Sequence, residues 1–420
     1  MLRAIEICAG AGGQALGLER AGFGHELAIE LDEVAVSTLR ANRPEWNVAH
    51  GDVADATVWN PADYAPSEGR EPIDLFAGGV PCPPFSVAGK QLGAGDERDL
   101  FAWAVEQVAV LKPRAILLEN VRGLSSPRFA AYRQHVLDRL REFGYVADWR
   151  LLNASDFGVP QLRPRFVLIA LKPEDFAYFS WPQPISESVT VGQSLRSLMA
   201  ARGWRGADEW AKSANKIGPT VVGGSKKHGG PDLGPTRAKA AWALLGVDAK
   251  GVANEAPGPE ATFDVGPKLT CEMVARLQGW DEEVYSWRFE GKKTNMYRQI
   301  GNAFPPPVAF ELGRCIAAAL RHEGKGGETE AVSLEADPIY KVLRSATDFL
   351  TATQITRLAK VAIDPATFDK RMTLLGQDFE LERQERSSGL AYRLGAFKAF
   401  TGQVSHSRHE YYKSHVSRVS

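Results

Sequence analysis

Cysteine is scarce in this chain, and its spacing argues against two common kinds of small protein. The 420 residues contain four cysteines, and no two of them form a Cys-x-x-Cys pair. A disulfide-stabilised secreted domain and a cysteine-ligated zinc site both need more closely spaced cysteines. We therefore expect a cytoplasmic protein without a bound metal.

The chain also lacks a strong net charge and a long apolar run. Its formal net charge at pH 7 is −1, so a surface that binds nucleic acid must be a local basic patch. The N-terminus shows no basic segment followed by an apolar one, and no run approaches the roughly 18 apolar residues of a membrane helix. Neither export nor insertion into a membrane is expected.

Up to about residue 171, short apolar runs alternate with helical patterns. Candidate strands are 5–8, 27–30, 73–77, 116–119 and 166–170, and candidate helices are 14–21, 34–41, 101–111 and 132–143. Such alternation predicts an α/β fold with a doubly wound, mostly parallel sheet and helices on both faces. Ligands of these folds bind at the carboxyl ends of the strands, so residues that follow strands are the first candidates for a site.

The rest of the chain differs in composition and periodicity. Residues 172–285 are irregular and rich in glycine and proline, with few periodic stretches apart from 237–245, which predicts a smaller, loop-rich domain. Residues 286–325 contain prolines followed by an apolar helical pattern. A polar stretch then leads into 326–420, where we expect a helical extension of unknown role, with helices over 350–361 and 365–375.

A glycine-rich turn follows the first candidate strand. The sequence Cys8-Ala-Gly-Ala-Gly-Gly13 lets a ligand approach the backbone, but it could also bind a dinucleotide or simply join a strand to a helix. Glu30 ends the second strand, where a carboxylate can accept both ribose hydroxyls, and Asp52 ends the third, where it can accept an adenine amino hydrogen. Together they outline an adenosine pocket, although each could be an exposed or helix-capping carboxylate.

A cysteine between prolines follows the strand at 73–77. The sequence Gly78-Gly-Val-Pro-Cys82-Pro-Pro-Phe-Ser86 cannot easily be helical, and its rigidity suits an exposed nucleophile. Alternatively, Cys82 is a buried small hydrophobic residue. The next strand ends in Glu119-Asn120, which in a parallel sheet places a carboxylate beside the cysteine loop. That pair could otherwise be a salt-bridged strand end and a turn residue.

Three polar side chains precede the strand at 166–170. Arg163 and Arg165 alternate and would point to the same side if the segment is extended, with Gln161 two residues earlier. They could hold a base or a phosphate. A solvated sheet edge is the alternative for such arginines.

Taken in order, these segments closely resemble the DNA (cytosine-5) methyltransferase family of the bacterial restriction–modification type. The matching segments are the glycine-rich turn, Glu30, Asp52, the Pro-Cys loop, Glu119-Asn-Val, Gln161-x-Arg-x-Arg and Gln299-Ile-Gly-Asn-Ala-Phe-Pro-Pro-Pro-Val308. The resemblance covers about 3–171 and 265–320. The departures are Cys8 where the family usually has Phe, Leu31 for Trp, Pro83 for Gln, and Phe304 and Pro306 for Val. None removes a catalytic group, and the first two line the implied adenine pocket.

The resemblance implies an S-adenosylmethionine-dependent methyltransferase fold and methylation of C5 of a cytosine flipped out of duplex DNA, with S-adenosylhomocysteine as product. Cys82 would add to C6, because C5 becomes nucleophilic once a thiolate has added there. Glu119 would face N3 as hydrogen-bond partner and acid, and Asn120 would hold the local geometry. Arg165 would contact the carbonyl oxygen O2, and Arg163 would position groups in the same pocket.

The resemblance also implies binding residues and domain boundaries. Cofactor contacts would come from Cys8, Ala9, Gly10, Gly12, Gly13, Glu30, Leu31, Asp52, Val53, Pro81, Leu100 and Asn302, and substrate contacts from Ser86, Gln161, Lys226, Lys227 and Arg237. Residues 1–171 would form the catalytic domain and 172–285 the target-recognition domain, whose lysines and arginines could meet DNA phosphates. Residues 286–325 would return to complete the catalytic domain.

The expected partners are double-stranded DNA and, as is usual in the family, a cognate restriction endonuclease, with the chain acting as a monomer on DNA. A tRNA cytosine-5 methyltransferase uses related motifs, but the long lysine-bearing insert favours DNA. An inactive DNA-binding regulator would have lost a catalytic side chain, and all are present. A nicotinamide-dependent oxidoreductase would explain the glycine turn but not the Pro-Cys loop.

Overall fold

A mixed sheet forms the centre of the molecule. The computed structural model describes residues 1–80, 98–185, 187–223, 230–327, 337–387 and 389–398. Within these ranges, seven strands form one sheet in the order β3-β2-β1-β4-β5-β7-β6. They are β1 (Leu2–Ile7), β2 (Phe23–Glu30), β3 (Val48–His50), β4 (Leu75–Gly79), β5 (Ala115–Val121), β6 (Val146–Asn153) and β7 (Pro164–Leu171). Neighbours from β3 to β5 are parallel, and β7 runs antiparallel to β5 and β6. The mostly parallel sheet is therefore confirmed.

Helices connect these strands and cover both faces. They include α1 (Gly13–Arg20), α2 (Glu33–Asn42), α3 (Arg98–Leu111), α4 (Ala130–Glu142) and α5 (Pro173–Phe176). Later in the chain follow α6 (Val191–Ala200), α7 (Ala207–Ser213), α8 (Thr236–Ala243), α9 (Cys271–Leu277), α10 (Lys293–Asn302) and α11 (Pro306–Leu320). No helix in the described part of the chain has both the length and the apolar content to cross a membrane.

Strand side chains alternate between two cores, because successive residues of a strand point to opposite faces. Ile116 and Leu118 of β5 pack with Trp103 of α3 on one face. Ala115 and Leu117 of the same strand pack with α11 on the other. Burial on both faces explains why the strands appear in the sequence as nearly continuous apolar runs.

Glycine lets α1 and α11 approach closely. A Cβ at Gly17 would lie 2.4 Å from the carbonyl oxygen of Pro306 and 2.5 Å from Cβ of Ala309. Any larger residue would push the two helices apart, since buried helices tolerate little overpacking. This contact brings the segment after residue 305 back onto the sheet that the first 171 residues build.

Residues between the two halves of the sheet domain have a core of their own. Val191, Leu195 and Met199 of α6 pack with Trp242 of α8 and with Ile300 of α10. The helix expected over 237–245 is present as α8. The helices α6 and α7 lie in stretches for which the sequence analysis predicts irregular structure. The segment 286–325 is therefore divided between the two parts of the molecule. Its first helix, α10, packs with this second core, and its second helix, α11, packs with the sheet.

The C-terminal extension is not purely helical, which corrects the expectation from sequence. It contains α12 (Pro338–Ser345), β8 (Leu350–Thr351), α13 (Ala352–Leu358), α14 (Pro365–Asp378), β9 (Phe379–Arg386) and β10 (Gly389–Phe397). The expected helical pair is present as α13 and α14. The strands form an antiparallel sheet in the order β8-β10-β9, and their pairing supplies backbone hydrogen bonds that the local sequence does not reveal.

This extension docks on α4. The hydroxyl of Tyr340 donates to the Asp138 carboxylate at 3.1 Å, and Arg344 lies 2.8 Å from the Glu142 carboxylate. The ring of His135 on α4 is covered by Phe397, with ring centroids 3.9 Å apart. The interface is therefore apolar around His135, with polar contacts from Tyr340 and Arg344.

Candidate active site

The glycine-rich turn wraps around a strand-end carboxylate. Cys8, Gly10 and Gly12 all have positive φ values, of 51°, 56° and 89°. The turn presents the amide of Gly10 to Oε2 of Glu30 at 2.7 Å, and the amide of Asp32 donates to Oε1 at 2.7 Å. Burial raises the pKa of Glu30, against the opposing effect of these amide donors. The turn and the carboxylate thus form one rigid unit at the carboxyl end of β1 and β2.

Several predicted cofactor residues gather around this unit. Asp52 is buried after β3 and accepts a hydrogen bond from the Ala54 amide at 3.0 Å. Val53 and Leu100 share one apolar cluster, against which Cys8 packs. Cys8, Val53 and Leu100 thus belong to one apolar cluster, although they are separated by up to about ninety positions in the sequence.

Asn302 lies beside Gly223. It ends α10, is exposed, and its side-chain oxygen would collide with a Cβ on Gly223. The backbone immediately after it meets the glycine-rich turn, because a Cβ at Gly13 would lie 2.3 Å from the carbonyl oxygen of Phe304. A contact between the Asn302 side chain and a cofactor stays a prediction.

Glu119 is the one acid of the predicted catalytic set, and it is buried. It is 9% exposed, and a Cβ on Gly79 of β4 would lie 3.2 Å from its Oε1. The next residue, Asn120, places its side-chain nitrogen 3.5 Å from the carbonyl oxygen of Val80. Val80 is two residues before Cys82 in sequence. Glu119 and Asn120 therefore both contact the end of the segment that leads into the Pro-Cys loop.

Arg165 is the partner of Glu119. Its Nε lies 3.3 Å from Oε2 of Glu119, and each of the two side chains is 11% exposed. Burial raises the pKa of Glu119, and the positive charges of Arg165 and Arg163 oppose that rise. Within the described residues, neither Oε2 of Glu119 nor Nε of Arg165 makes a hydrogen bond. The two atoms are therefore held together by the attraction of opposite charges rather than by a hydrogen bond.

Arg163 is committed to the protein backbone. It is 1% exposed, and its terminal nitrogens donate to the carbonyl oxygens of Val221 at 2.9 Å, Gly301 at 2.9 Å and Ala303 at 2.7 Å. These carbonyls belong to the region between the two halves of the sheet domain and to the end of α10. Arg163 thus fastens three distant parts of the chain together beside Glu119.

Gln161 is likewise buried and engaged. Its side-chain nitrogen donates to the Leu277 carbonyl at 2.6 Å and to Oε1 of Gln278 at 2.8 Å, while its oxygen accepts from the Val221 amide at 3.0 Å. At 0% exposure it offers no atom to a substrate in this arrangement. The protein partners of Gln161 and Arg163 lie far away along the chain and could not be predicted from the sequence.

Five predicted residues lie outside the described part of the chain: Pro81, Cys82, Ser86, Lys226 and Lys227. Arg237 is described and lies exposed in α8. Other basic residues of 172–285 are paired with acids, including Arg202 with Glu255 and Lys239 with Asp232. The local positive charge expected there is therefore partly neutralised.

One residue that the sequence analysis missed contacts the glycine-rich turn. The indole nitrogen of Trp287 donates to the carbonyl oxygen of Ala11 at 2.8 Å, across 276 positions of sequence. Trp287 lies outside the sequence motifs, in a stretch without periodicity, so this contact could be identified only from the fold.

The chain as a whole matches a known family. A model of the C-5 cytosine-specific DNA methylase family matches residues 2–318. The chain belongs to that family. It is a DNA (cytosine-5) methyltransferase. The family membership predicted from the order of the motifs is confirmed.

Two relatives and one solved structure illustrate the match. The type II methyltransferase M.NaeI of Lentzea aerocolonigenes is 60% identical over 419 residues, which cover 100% of this chain and 99% of that protein. The type II methyltransferase M.NgoMIV of Neisseria gonorrhoeae is 49% identical over 323 residues, covering 76% of this chain and 98% of that protein. A crystal structure reported as a prophage-encoded DNA modification methyltransferase from E. coli has a TM-score of 0.50 at 20% identity, covering 76% of this chain and 100% of that one. The methyltransferase fold expected from sequence is therefore confirmed.

Proposed function

We propose that this methyltransferase transfers a methyl group from S-adenosylmethionine to C5 of a cytosine flipped out of a specific duplex DNA sequence, through a covalent bond between Cys82 and C6. The observation that carries the proposal is the buried pair of Glu119 and Arg165, set against the strand that leads into Cys82. A carboxyl group and a guanidinium in one dry site suit a base that must be protonated at N3 and held at O2.

The chemistry begins at Cys82. Its thiolate forms a bond to C6, and the electrons of the C5–C6 double bond shift into the ring as N3 gains a proton. C5 thereby becomes nucleophilic. S-Adenosylmethionine, when bound, supplies an electrophilic methyl group. Once C5 has bonded to the methyl group, with S-adenosylhomocysteine as the leaving group, water or a basic side chain takes the C5 proton. The electrons of that C–H bond re-form the C5–C6 double bond and expel the Cys82 sulfur as a thiolate, and N3 returns its proton.

Glu119 is suited to handle the proton at N3. Burial raises the pKa of this carboxyl above its usual value, so a larger share of molecules carries the proton at neutral pH than an exposed glutamate would. Asn120 supports the geometry by contacting Val80 and by accepting the Val121 amide at 2.7 Å. Both residues therefore couple the position of the acid to that of the cysteine segment.

Arg165 is suited to stabilise negative charge that develops on the base oxygen O2. It is buried, so its interaction with a neighbouring charge is stronger than at a hydrated surface. Arg163 cannot take that role while its terminal nitrogens donate to three carbonyls. We assign it instead to holding the substrate pocket together, and we leave Gln161 out of the substrate contacts for the same reason.

The cofactor site fits an adenosine-containing ligand. The turn at 8–13 has little side-chain bulk at Gly10 and Gly12, and Glu30 is aligned by two amides at the end of β2. Glu30 would hold the ribose hydroxyls, and Asp52 the adenine amino group. Val53 and Leu100 would contribute apolar surface to the adenine pocket.

Duplex DNA is the proposed substrate because the matching family acts on DNA cytosine and because the two relatives named above are type II methyltransferases. The region 172–285 would read the sequence, with Arg237 and the residues Lys226 and Lys227 among the DNA contacts. We further propose that the chain acts as a monomer on DNA and protects it from a cognate restriction endonuclease.

The decisive experiment follows tritiated methyl groups from S-adenosylmethionine into unmethylated duplex DNA, with tRNA offered in parallel. Wild-type protein should label DNA at cytosine C5, and Cys82→Ser should not. Cys271→Ser serves as a matched control, because the same exchange in α9 leaves the proposed nucleophile in place. Label in tRNA alone, or full activity of Cys82→Ser, would overturn the proposal.

Covalent capture tests the adduct itself. DNA that carries 5-fluorocytosine at the target has no C5 proton to lose, so the bond between sulfur and C6 cannot be eliminated after methylation. Wild-type protein should then form a complex with this DNA that survives denaturing electrophoresis, and Cys82→Ser should not. Methylation of normal DNA without capture of the fluorinated DNA would exclude the covalent route.

A further inference from the structure

A short segment after α9 covers the glycine-rich turn. The indole nitrogen of Trp287 donates to the Ala11 carbonyl at 2.8 Å, and a Cβ at Gly12 would lie 2.7 Å from the Trp287 ring. The turn is therefore held on both sides, since the Gly10 amide binds Glu30 at 2.7 Å. Gly12 has no room for a side chain between the ring and the turn.

The Trp287 ring is itself held in place. The guanidinium of Arg43 lies 5.1 Å from its centroid, which is within the range of a cation–π contact. Arg43 also pairs with both carboxylate oxygens of Glu19 on α1, at 2.8 and 2.6 Å. Trp46 packs against the ring from another side, with centroids 6.3 Å apart. The ring cannot move without disturbing α1 and the end of α2.

The backbone beside Trp287 is tied to α2 by reciprocal hydrogen bonds. The Arg288 amide donates to the Asn42 side chain at 2.9 Å, and the Asn42 side chain donates back to the Arg288 carbonyl at 2.7 Å. The Glu290 amide donates to Thr38 at 2.9 Å. The hydroxyl of Thr38 in turn donates to Gln299 of α10 at 2.6 Å. Residues 287–290 thus connect α2, α10 and the glycine-rich turn.

We propose that Trp287 is a positioning residue for the cofactor: by fixing the backbone of the turn at Ala11 and Gly12, it sets the affinity for S-adenosylmethionine. The inference rests on the proposed use of that cofactor. A turn that is already fixed loses less conformational entropy when a ligand binds, so its affinity is higher. The affinity is thereby made to depend on a residue of the segment that joins α9 and α10, far from the turn in sequence.

The test is isothermal titration calorimetry of S-adenosylmethionine with wild type, Trp287→Phe and Trp287→Ala. Trp287→Phe keeps a ring over Gly12 but loses the hydrogen bond, and the dissociation constant should rise about fivefold. Trp287→Ala loses both contacts, and the rise should be about tenfold or more, with partial recovery in the phenylalanine variant. In methylation assays, KM for the cofactor should rise while kcat changes little.

Trp204→Phe is the matched control. Its indole nitrogen donates to the Ala261 carbonyl at 2.9 Å, so the exchange removes the same kind of bond away from the turn. The dissociation constant of the Trp204→Phe variant for S-adenosylmethionine should equal that of wild type.

The outcomes separate three cases. If wild type does not bind the cofactor, the proposed function fails. If the Trp287 variants bind with unchanged dissociation constant, the positioning role is wrong. If the variants show only a reduced number of binding sites per chain, with unchanged affinity of the folded fraction, Trp287 merely stabilises the fold, and the inference is likewise overturned.

Discussion

Glu119 and Arg165 place opposite charges 3.3 Å apart in a site where each side chain is 11% exposed. The carboxylate comes from the end of β5 and the guanidinium from the antiparallel neighbour β7, where Val121 pairs with Arg165. The reversed strand therefore delivers the arginine to the edge of the sheet at which the parallel strands deliver their acids. Two consequences of this arrangement can be measured on one variant.

Glu119→Gln should reduce kcat for methyl transfer by about 10²–10⁴-fold, because the amide keeps the shape of the side chain but cannot supply a proton to N3. Single-turnover transfer of labelled methyl to duplex DNA measures the effect. Glu323→Gln, an exposed site at the end of α11, is the control and should keep wild-type activity. A fall of less than about threefold in the Glu119 variant would rule out the acid role.

The same variant should change how stability depends on pH. Burial raises the pKa of Glu119 in the folded state above 4.5, so ionisation favours unfolding. The stabilising contribution is complete below the unfolded-state pKa and is lost as pH rises through the folded-state pKa. In urea titrations at several pH values, Glu119→Gln should gain stability relative to wild type as pH increases above 4.5. A difference that stays constant with pH would contradict the assignment.

Arg163→Lys should lower the free energy of unfolding by about 3 kcal/mol, since a lysine cannot serve the carbonyls of Val221, Gly301 and Ala303 together. Chemical denaturation followed by circular dichroism measures the change. Arg314→Lys on the exposed side of α11 is the control, and it should shift stability by no more than about 0.5 kcal/mol. Equal unfolding midpoints for the two variants would show that the buried hydrogen bonds of Arg163 do not contribute to stability.

Acid should loosen the C-terminal extension through His135. Burial lowers the pKa of this histidine to about 4, with further lowering by Arg344 and Arg139 against smaller opposing effects of Asp138 and Glu142. Protonation therefore favours the undocked state, and the stability present above pH 6.5 is lost as pH falls toward 4.

Hydrogen exchange of α12, β9 and β10 checks this acid sensitivity. Exchange in these elements should accelerate as pH falls from 6.5 to 4, after correction for the intrinsic rate, and His135→Gln should remove the acceleration. His322→Gln, outside the extension, should retain it. Acceleration that persists in His135→Gln would assign the acid sensitivity to another group.

The sequence revealed the features that depend on local pattern. The position of Glu30 and Glu119 near the ends of strands could be predicted because each follows an apolar run, and in a parallel sheet the ends of such runs lie at one edge. The reversed direction of β7 and the strand β6 were not found, because Val146–Asn153 mixes apolar and polar residues without a clean period. Its conformation is set by pairing with β7.

Contacts between distant segments were also beyond the sequence. Gln161 and Arg163 appeared as polar residues near a strand, and their partners lie 58 to 140 positions away. The strands β9 and β10 were taken for part of a helical extension, because the charged stretch Phe379–Arg386 favours neither state until its partner strand is present. Non-local pairing thus explains most of the difference between expectation and structure.

The three hydrogen bonds that Arg163 donates to backbone carbonyls bear on how sequence can be exchanged between enzymes of this kind. The hydrogen bonds of Arg163 go to main-chain oxygens, which every residue possesses, so they do not require a particular side chain at Val221 or Ala303. Gly301 is different, because a Cβ there would lie 2.4 Å from Cα of Gly223. A foreign sequence inserted here would need to bring its backbone past the same point, with a glycine at the position of Gly223, where Asn302 leaves no room for a side chain. The catalytic sheet would keep its architecture while the region 172–285, which we propose reads DNA, is replaced, so this junction is a suitable place for protein engineering.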